Sequence, residues 1–178
     1  QQQLEEAPAQ YTDDAAFRKT VLDVSNTYRR QHNATRLRWN ESLAEYAREW
    51  SAGCVFEHSD GPHGENLASG YPNASAAILA WGHERTTYDF RSGDFSRETG
   101  HFTQLVWKAT TSMGCGRTQC DGRGGVSRGG APGWYLVCSY HPRGNMLGAF
   151  VDNVQPRIPD DEQEQQQPDE GPDSPEVP

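Results

Sequence analysis

The sequence predicts an α+β fold in which helices pack on a small antiparallel sheet in an α-β-α arrangement. Three observations carry this. Apolar residues recur at helical spacing through the first half of the chain; residues 134–140 (WYLVCSY) form a continuous β-prone run; and residues 99–117 (TGHFTQLVWKATTSMGCGR) pass from a helical stripe to a glycine-flanked cysteine. A chain of 178 residues with 34% hydrophobic and 10% aromatic residues suits one domain with one core.

Residues 1–13 read as a polar leader without regular structure. A first helix follows Thr12 or Asp13, carries Phe17, Val21, Val24 and Tyr28 on one face, and ends near Gln31 to Asn33. Asn40 reads as the N-cap of a second helix, with Leu43, Ala44, Ala47 and Trp50 as its buried stripe and Gly53 as its stop. Residues 54–72 read as irregular, because Gly61-Pro62, Gly64 and Tyr71-Pro72 interrupt any period. A third helix starts at Asn73 and presents Ala77, Trp81, Glu84 and Tyr88 on one side, which sets an acid among aromatic rings. Residues 89–98 form a polar loop bearing Phe90 and Phe95. Thr99 is then the candidate N-cap of a short buried helix with the stripe Phe102, Leu105, Val106 and Ala109, which puts His101 in its first turn. Gly114-Cys115-Gly116 suits a turn into a strand, and residues 113–119 pair with 134–140 across a Gly-rich loop at 121–133.

The net charge of -9 is local rather than general. Residues 159–178 hold eight acids and no Lys or Arg, leaving 17 acids against 16 bases in the rest of the chain. Rich in Gln and Pro, residues 155–178 cannot bury enough apolar surface to offset their ordering entropy and read as a disordered acidic tail. The nearly neutral body carries no basic stripe, so nucleic acid is not an expected partner. Sequons at Asn33, Asn40 and Asn73, together with four cysteines, point to an oxidising, glycosylating route out of the cell. No apolar segment is long enough to span a bilayer, and the start at Gln1-Gln2-Gln3 reads as that of a mature secreted chain.

Six histidines occur, at 32, 58, 63, 83, 101 and 141, and the ordinary role of any one is a hydrogen bond in the core or on the surface. Glu65 stands beside Leu67 and Ala68, and Glu84 on the Trp81 face; a carboxylate buried in either place needs a partner. His58 and His101 are suitable partners. Two imidazoles and two carboxylates either satisfy one another or hold a divalent cation, zinc being suited to neutral imidazole. Nothing in the spacing brings positions 58 and 101 together, and no HExxH, Walker or Rossmann pattern offers another chemistry.

Three motifs resemble those of a known family. His101-Phe102-Thr103-Gln104-Leu105-Val106-Trp107 and residues 135–145 (YLVCSYHPRGN) resemble the two signatures of the CAP superfamily, the cysteine-rich secretory, antigen 5 and pathogenesis-related class 1 proteins, and Gly64-Glu65-Asn66-Leu67 resembles a further hallmark. The resemblance covers residues 14–154. It implies a three-layer α-β-α sandwich with a central cleft in which His58, Glu65, Glu84 and His101 form a tetrad for a divalent cation such as zinc. Among the four cysteines three pairings are open; the resemblance implies Cys54 with Cys120 and Cys115 with Cys138. Within the superfamily the chain resembles the fungal pathogen-related proteins of yeast, which bind and export sterols. Their aromatic pattern before the first signature is matched in spacing by Tyr88, Phe90 and Phe95, which this resemblance implies as lipid contacts. Plant members carry a further cysteine pair in that loop, which is lacking here. The expected protein is a secreted monomer that binds a sterol or small lipid and makes transient contact with membranes. The alternative is a metal-dependent hydrolase or protease in which Glu65 and Glu84 act, although no nucleophile with a paired base is evident. A third reading leaves the tetrad a purely structural set of hydrogen bonds.

Overall fold

The computed structural model describes residues 9–121 and 130–164. The leader at 1–8, most of the Gly-rich loop at 122–129 and the tail from 165 lie outside the described residues. Residues 9–12 are helical, in place of the irregular leader expected there, because Tyr11 is buried and stacks on Trp134 at 4.7 Å between ring centres. Helix α1 (Asp14–Gln31) then begins at Asp13, whose carboxylate accepts the Ala16 amide at 2.8 Å. Its buried face holds Phe17, Val21 and Tyr28 as expected, and it adds Ser25, Asn26 and Arg29, while Val24 is only half buried.

Four strands build one sheet in the order β1-β3-β4-β2. Strand β1 (Arg38–Trp39) runs parallel to β3 (Ser112–Asp121), which pairs antiparallel with β4 (Pro132–His141), and β4 pairs antiparallel with β2 (Gly64–Ser69). Strand β2 replaces the irregular segment expected there. Its residues GENLAS have weak strand propensity, and pairing with β4 over six positions supplies what propensity does not. The alternation along β4 divides the core. Leu136, Cys138 and Tyr140 join Phe17, Ile78, Trp81 and Phe102 on one side. Tyr135 and Val137 pack with Ala47 and Leu67 on the other.

Helix α2 (Glu41–Ala52) covers one face, capped by the Asn40 side chain on the Leu43 amide at 3.0 Å. Its seat explains Gly114 and Gly116, which lie within β3 rather than at a turn: a Cβ on Gly114 would lie 2.2 Å from the Ala44 nitrogen, and one on Gly116 2.3 Å from the Arg48 Cα. The other face is covered by α1, α3 (Ala74–His83) and α4 (Gly100–Leu105), which completes an α-β-α sandwich. Asn73 caps α3 through the Ala76 amide, as predicted, but the helix ends before Glu84 and a 3-10 turn (Glu84–Thr86) follows, so Tyr88 lies beyond it. Helix α4 stops at Leu105, leaving Ala109 exposed and outside the stripe assigned to it. Thr99 makes no side-chain cap.

Both disulfides join the expected partners. Cys115 and Cys138 face each other in the β3–β4 register, and Cys54 ties the loop after α2 to Cys120 near the end of β3. A bridge of this kind contributes about 2–4 kcal/mol. Helices α5 (Phe150–Asn153) and α6 (Asp160–Glu164) follow the sheet. Part of the segment expected to be a disordered tail is therefore placed: the Ile158 amide donates to Gln31 O at 2.9 Å, and Gln163 is buried with its side chain on Ile158 O. Among the described residues, no helix is long and apolar enough to cross a membrane.

Candidate functional site

The four predicted residues come together two by two. After α2 the chain loops back to the start of β2, which sets His58 beside Glu65: His58 Nδ1 lies 2.9 Å from Oε1, the Ser59 amide donates to the same oxygen at 2.9 Å, and the Ser59 hydroxyl donates to Oε2 at 2.6 Å. The Glu65 side chain is 7% exposed and that of His58 61% exposed. Burial pushes the Glu65 carboxyl up, but the hydrogen bonds from His58 and Ser59 outweigh it and leave the group below its ordinary value. The hydrogen bond to Glu65 raises His58 against the opposing effect of burial. Ser59 was not singled out by the sequence; only its place next to His58 signals it. Its hydroxyl also accepts the Tyr46 phenol at 2.8 Å, which ties this pair to α2.

The second pair sits where the 3-10 turn meets α4. Glu84 Oε2 lies 2.8 Å from His101 Nδ1, and its Oε1 accepts the Phe102 amide at 3.0 Å. Glu84 thus performs at the start of α4 the capping expected of Thr99, with a negative charge at the positive end of the helix. Trp81 stacks on the His101 ring at 5.8 Å, and Asn66 of β2 donates to His101 O at 3.0 Å. Every Glu oxygen in both pairs is engaged, and each imidazole turns Nε2 away from its carboxylate. Among the described residues, no group of three or more His, Cys, Asp or Glu is placed to hold a metal ion. The residues as arranged do not fit a centre built from three protein ligands.

The aromatic loop divides in its placement. Tyr88 is buried and Phe90 half buried, in edge contact at 4.8 Å, and both pack on Phe102; Phe90 also stacks on His32 at 5.9 Å. Phe95 alone of the three is 47% exposed, with its ring 6.3 Å from Phe150. The facing segment was not foreseen, although the apolar run MLGAFV at 146–151 was there to be read. Met146, Leu147 and Val151 are exposed, Leu147 at 85%, and Gly93 of the aromatic loop approaches Val151 so closely that a Cβ there would lie 2.5 Å from its Cγ2. The result is an apolar surface shared by the aromatic loop and the segment that runs into α5.

The sequons divide as well. Asn40 and Asn73 use Oδ1 in their caps, which leaves Nδ2, the atom of glycan attachment, outside that bond. Asn33 spends Nδ2 on Gln155 Oε1 at 2.8 Å.

The sequence pattern of the cysteine-rich secretory protein family, CAP, matches residues 22–140. Protein PRY2 of Saccharomyces cerevisiae is 42% identical over 145 residues, covering 79% of this chain and 41% of PRY2. Secreted protein RBT4 of Candida albicans is 37% identical over 143 residues, covering 76% of this chain and 37% of RBT4. The chain thus spans less than half the length of these two relatives. Among solved structures, venom allergen-like protein 4 of Schistosoma mansoni superposes with a TM-score of 0.62 at 21% identity, over 80% of this chain and 96% of that one, a likeness of fold.

Proposed function

Because this chain belongs to the cysteine-rich secretory protein family, with probable pathogenesis-related proteins of fungi among its relatives, we propose that it is a secreted, non-enzymatic carrier of sterols or related small lipids. The observation that supports this is the exposed apolar surface of Phe95, Met146, Leu147 and Val151, where the aromatic loop meets the segment that leads into α5. Exposed apolar patches rimmed by polar residues are where soluble proteins meet apolar ligands and membranes. In this reading Tyr88 and Phe90 anchor the loop in the core, Phe95 contacts the lipid, and the patch rests transiently on the membrane that supplies it.

The His58–Glu65 and Glu84–His101 pairs act as braces. The first fixes the 54–63 loop to β2, and the second fixes the 3-10 turn to α4. A divalent cation such as zinc enters the proposal only through the Nε2 atoms of His58 and His101, each imidazole being oriented by a carboxylate on Nδ1. No step of lipid binding depends on it.

A photoactivatable cholesterol probe tests the assignment. Labelled peptides spanning residues 88–95 and 145–151, protected by excess ergosterol, are expected; labelling elsewhere, or labelling that ergosterol does not suppress, overturns it.

A further inference from the structure

Histidines 63 and 141 belong to neither brace. The β2–β4 register pairs Gly64 with Tyr140, so the next step outward sets His63 across from His141. Cross-strand neighbours of this kind hold their Cβ atoms about 5 Å apart. Their rings are 6.3 Å apart between centres at an interplanar angle of 80°, and the edge of His63 packs on Tyr46 at 5.3 Å. His63 Nδ1 is buried with no hydrogen-bond partner among the described residues. A buried orphan nitrogen normally marks either a cost or an absent ligand. Opposite it, the His141 carbonyl accepts the Thr111 amide at 3.0 Å while the residue is exposed.

We propose that His63 and His141 form a cross-strand chelate for an imidazole-preferring divalent transition metal, of the Cu2+, Ni2+ or Zn2+ class. Metal–nitrogen distances of about 2.0–2.1 Å put the centres of two imidazoles on one tetrahedral metal roughly 5 Å apart. The exposed His141 ring therefore has about an ångström to close. Water completes the shell, since no third His, Cys, Asp or Glu is grouped with them among the described residues. Two neutral imidazoles select borderline transition metals over Mg2+ and Ca2+, with Cu2+ held more tightly than Ni2+ and Ni2+ more tightly than Co2+. The chelate uses neither brace histidine, since those two spend Nδ1 on carboxylates.

The test is calorimetric and paramagnetic titration of the tag-free chain with Cu2+, Ni2+ and Mg2+, using wild type, His63→Phe, His141→Ala and, as a control at an exposed histidine outside both pairs, His83→Ala. His141→Ala is the principal variant, because an exposed side chain is the one whose removal disturbs the fold least. Its Cu2+ affinity is expected to fall by at least about tenfold, the scale on which even outer partners of metal-bound imidazoles count. His63→Phe should fall alike, His83→Ala should keep the wild-type affinity, and two nitrogens should couple to bound Cu2+ in the wild type. Unchanged Cu2+ binding in His141→Ala and His63→Phe, or a loss that follows His83→Ala instead, overturns the assignment.

Discussion

Acidification from pH 7 to pH 5 will weaken this protein through His32. The ring is 2% exposed, places Nδ1 2.9 Å from Gln155 O, and packs between Phe90 and Phe102. Burial lowers its pKa to about 4; the Gln155 carbonyl opposes the shift, and the positive charges of Arg85 and Arg157 add to it. In the unfolded chain the same imidazole titrates near 6.5, so at pH 5 the unfolded state binds a proton that the folded state does not. The stability that His32 contributes is therefore complete above about pH 6.5 and is lost as the pH falls toward 4. Between pH 7 and pH 5 this linkage removes about 2 kcal/mol. Urea denaturation at both pH values, followed by tryptophan fluorescence, measures it. His32→Gln keeps a donor for the Gln155 carbonyl and an acceptor for Arg85 but does not titrate. The wild type should lose about 2 kcal/mol more than this variant on acidification; equal losses refute the reasoning.

Other consequences follow from the same geometry. The His58 ring protons should titrate above the ordinary histidine value by NMR and return toward it in Glu65→Gln, since the hydrogen bond to Glu65 is the main cause of the shift. The stabilisation from this pair is present below the unfolded His58 pKa and above that of Glu65, and it fades as pH rises through the one folded value or falls through the other. Gly114→Ala drives a Cβ into the backbone of α2 and should cost about 3 kcal/mol, the upper end for overpacking, read from the urea midpoint. Where the chain is secreted through a glycosylating host, glycopeptide mass spectrometry should find glycans at Asn40 and Asn73 and an unmodified Asn33, whose Nδ2 is spent on Gln155.

How much of this was legible follows from what each feature depends on. The caps at Asn40 and Asn73 and the hairpin of β3 and β4 were readable because they rest on local chemistry, a side-chain oxygen near a helix start or a β-prone run. Strand β2 was not, because its residues become a strand only through β4. Arg29 shows the same limit. It lies on the buried face of α1 with its guanidinium on the carbonyls of Thr35, Leu105, Trp107 and Thr110 at 2.7–3.1 Å, acceptors up to 81 residues away. Three of those carbonyls, of Leu105, Trp107 and Thr110, lie at or just beyond the end of α4, where a cation suits the helix dipole, and burial lowers the guanidinium to about 9, still charged at neutral pH. At the candidate site, His58, Glu65, Glu84 and His101 were nominated by the residues themselves, and the family resemblance added the expectation that they share one cleft. Only the fold shows that Glu84 caps α4 and that Glu65 is shared with Ser59. The spacing of Tyr88, Phe90 and Phe95 matched a lipid-binding pattern, but spacing does not tell which rings a neighbouring helix covers; Phe102 takes two of them and leaves Phe95 outside.

The central claim, that lipid is carried at the Phe95 surface, is tested most directly by equilibrium titration of radiolabelled ergosterol against the wild type and Phe95→Asp at matched folding stability. Saturable binding by the wild type that falls at least about tenfold in Phe95→Asp, as expected for placing a charge in an apolar contact, is the predicted result. Equal binding by the two proteins, or no saturable binding by the wild type, contradicts it.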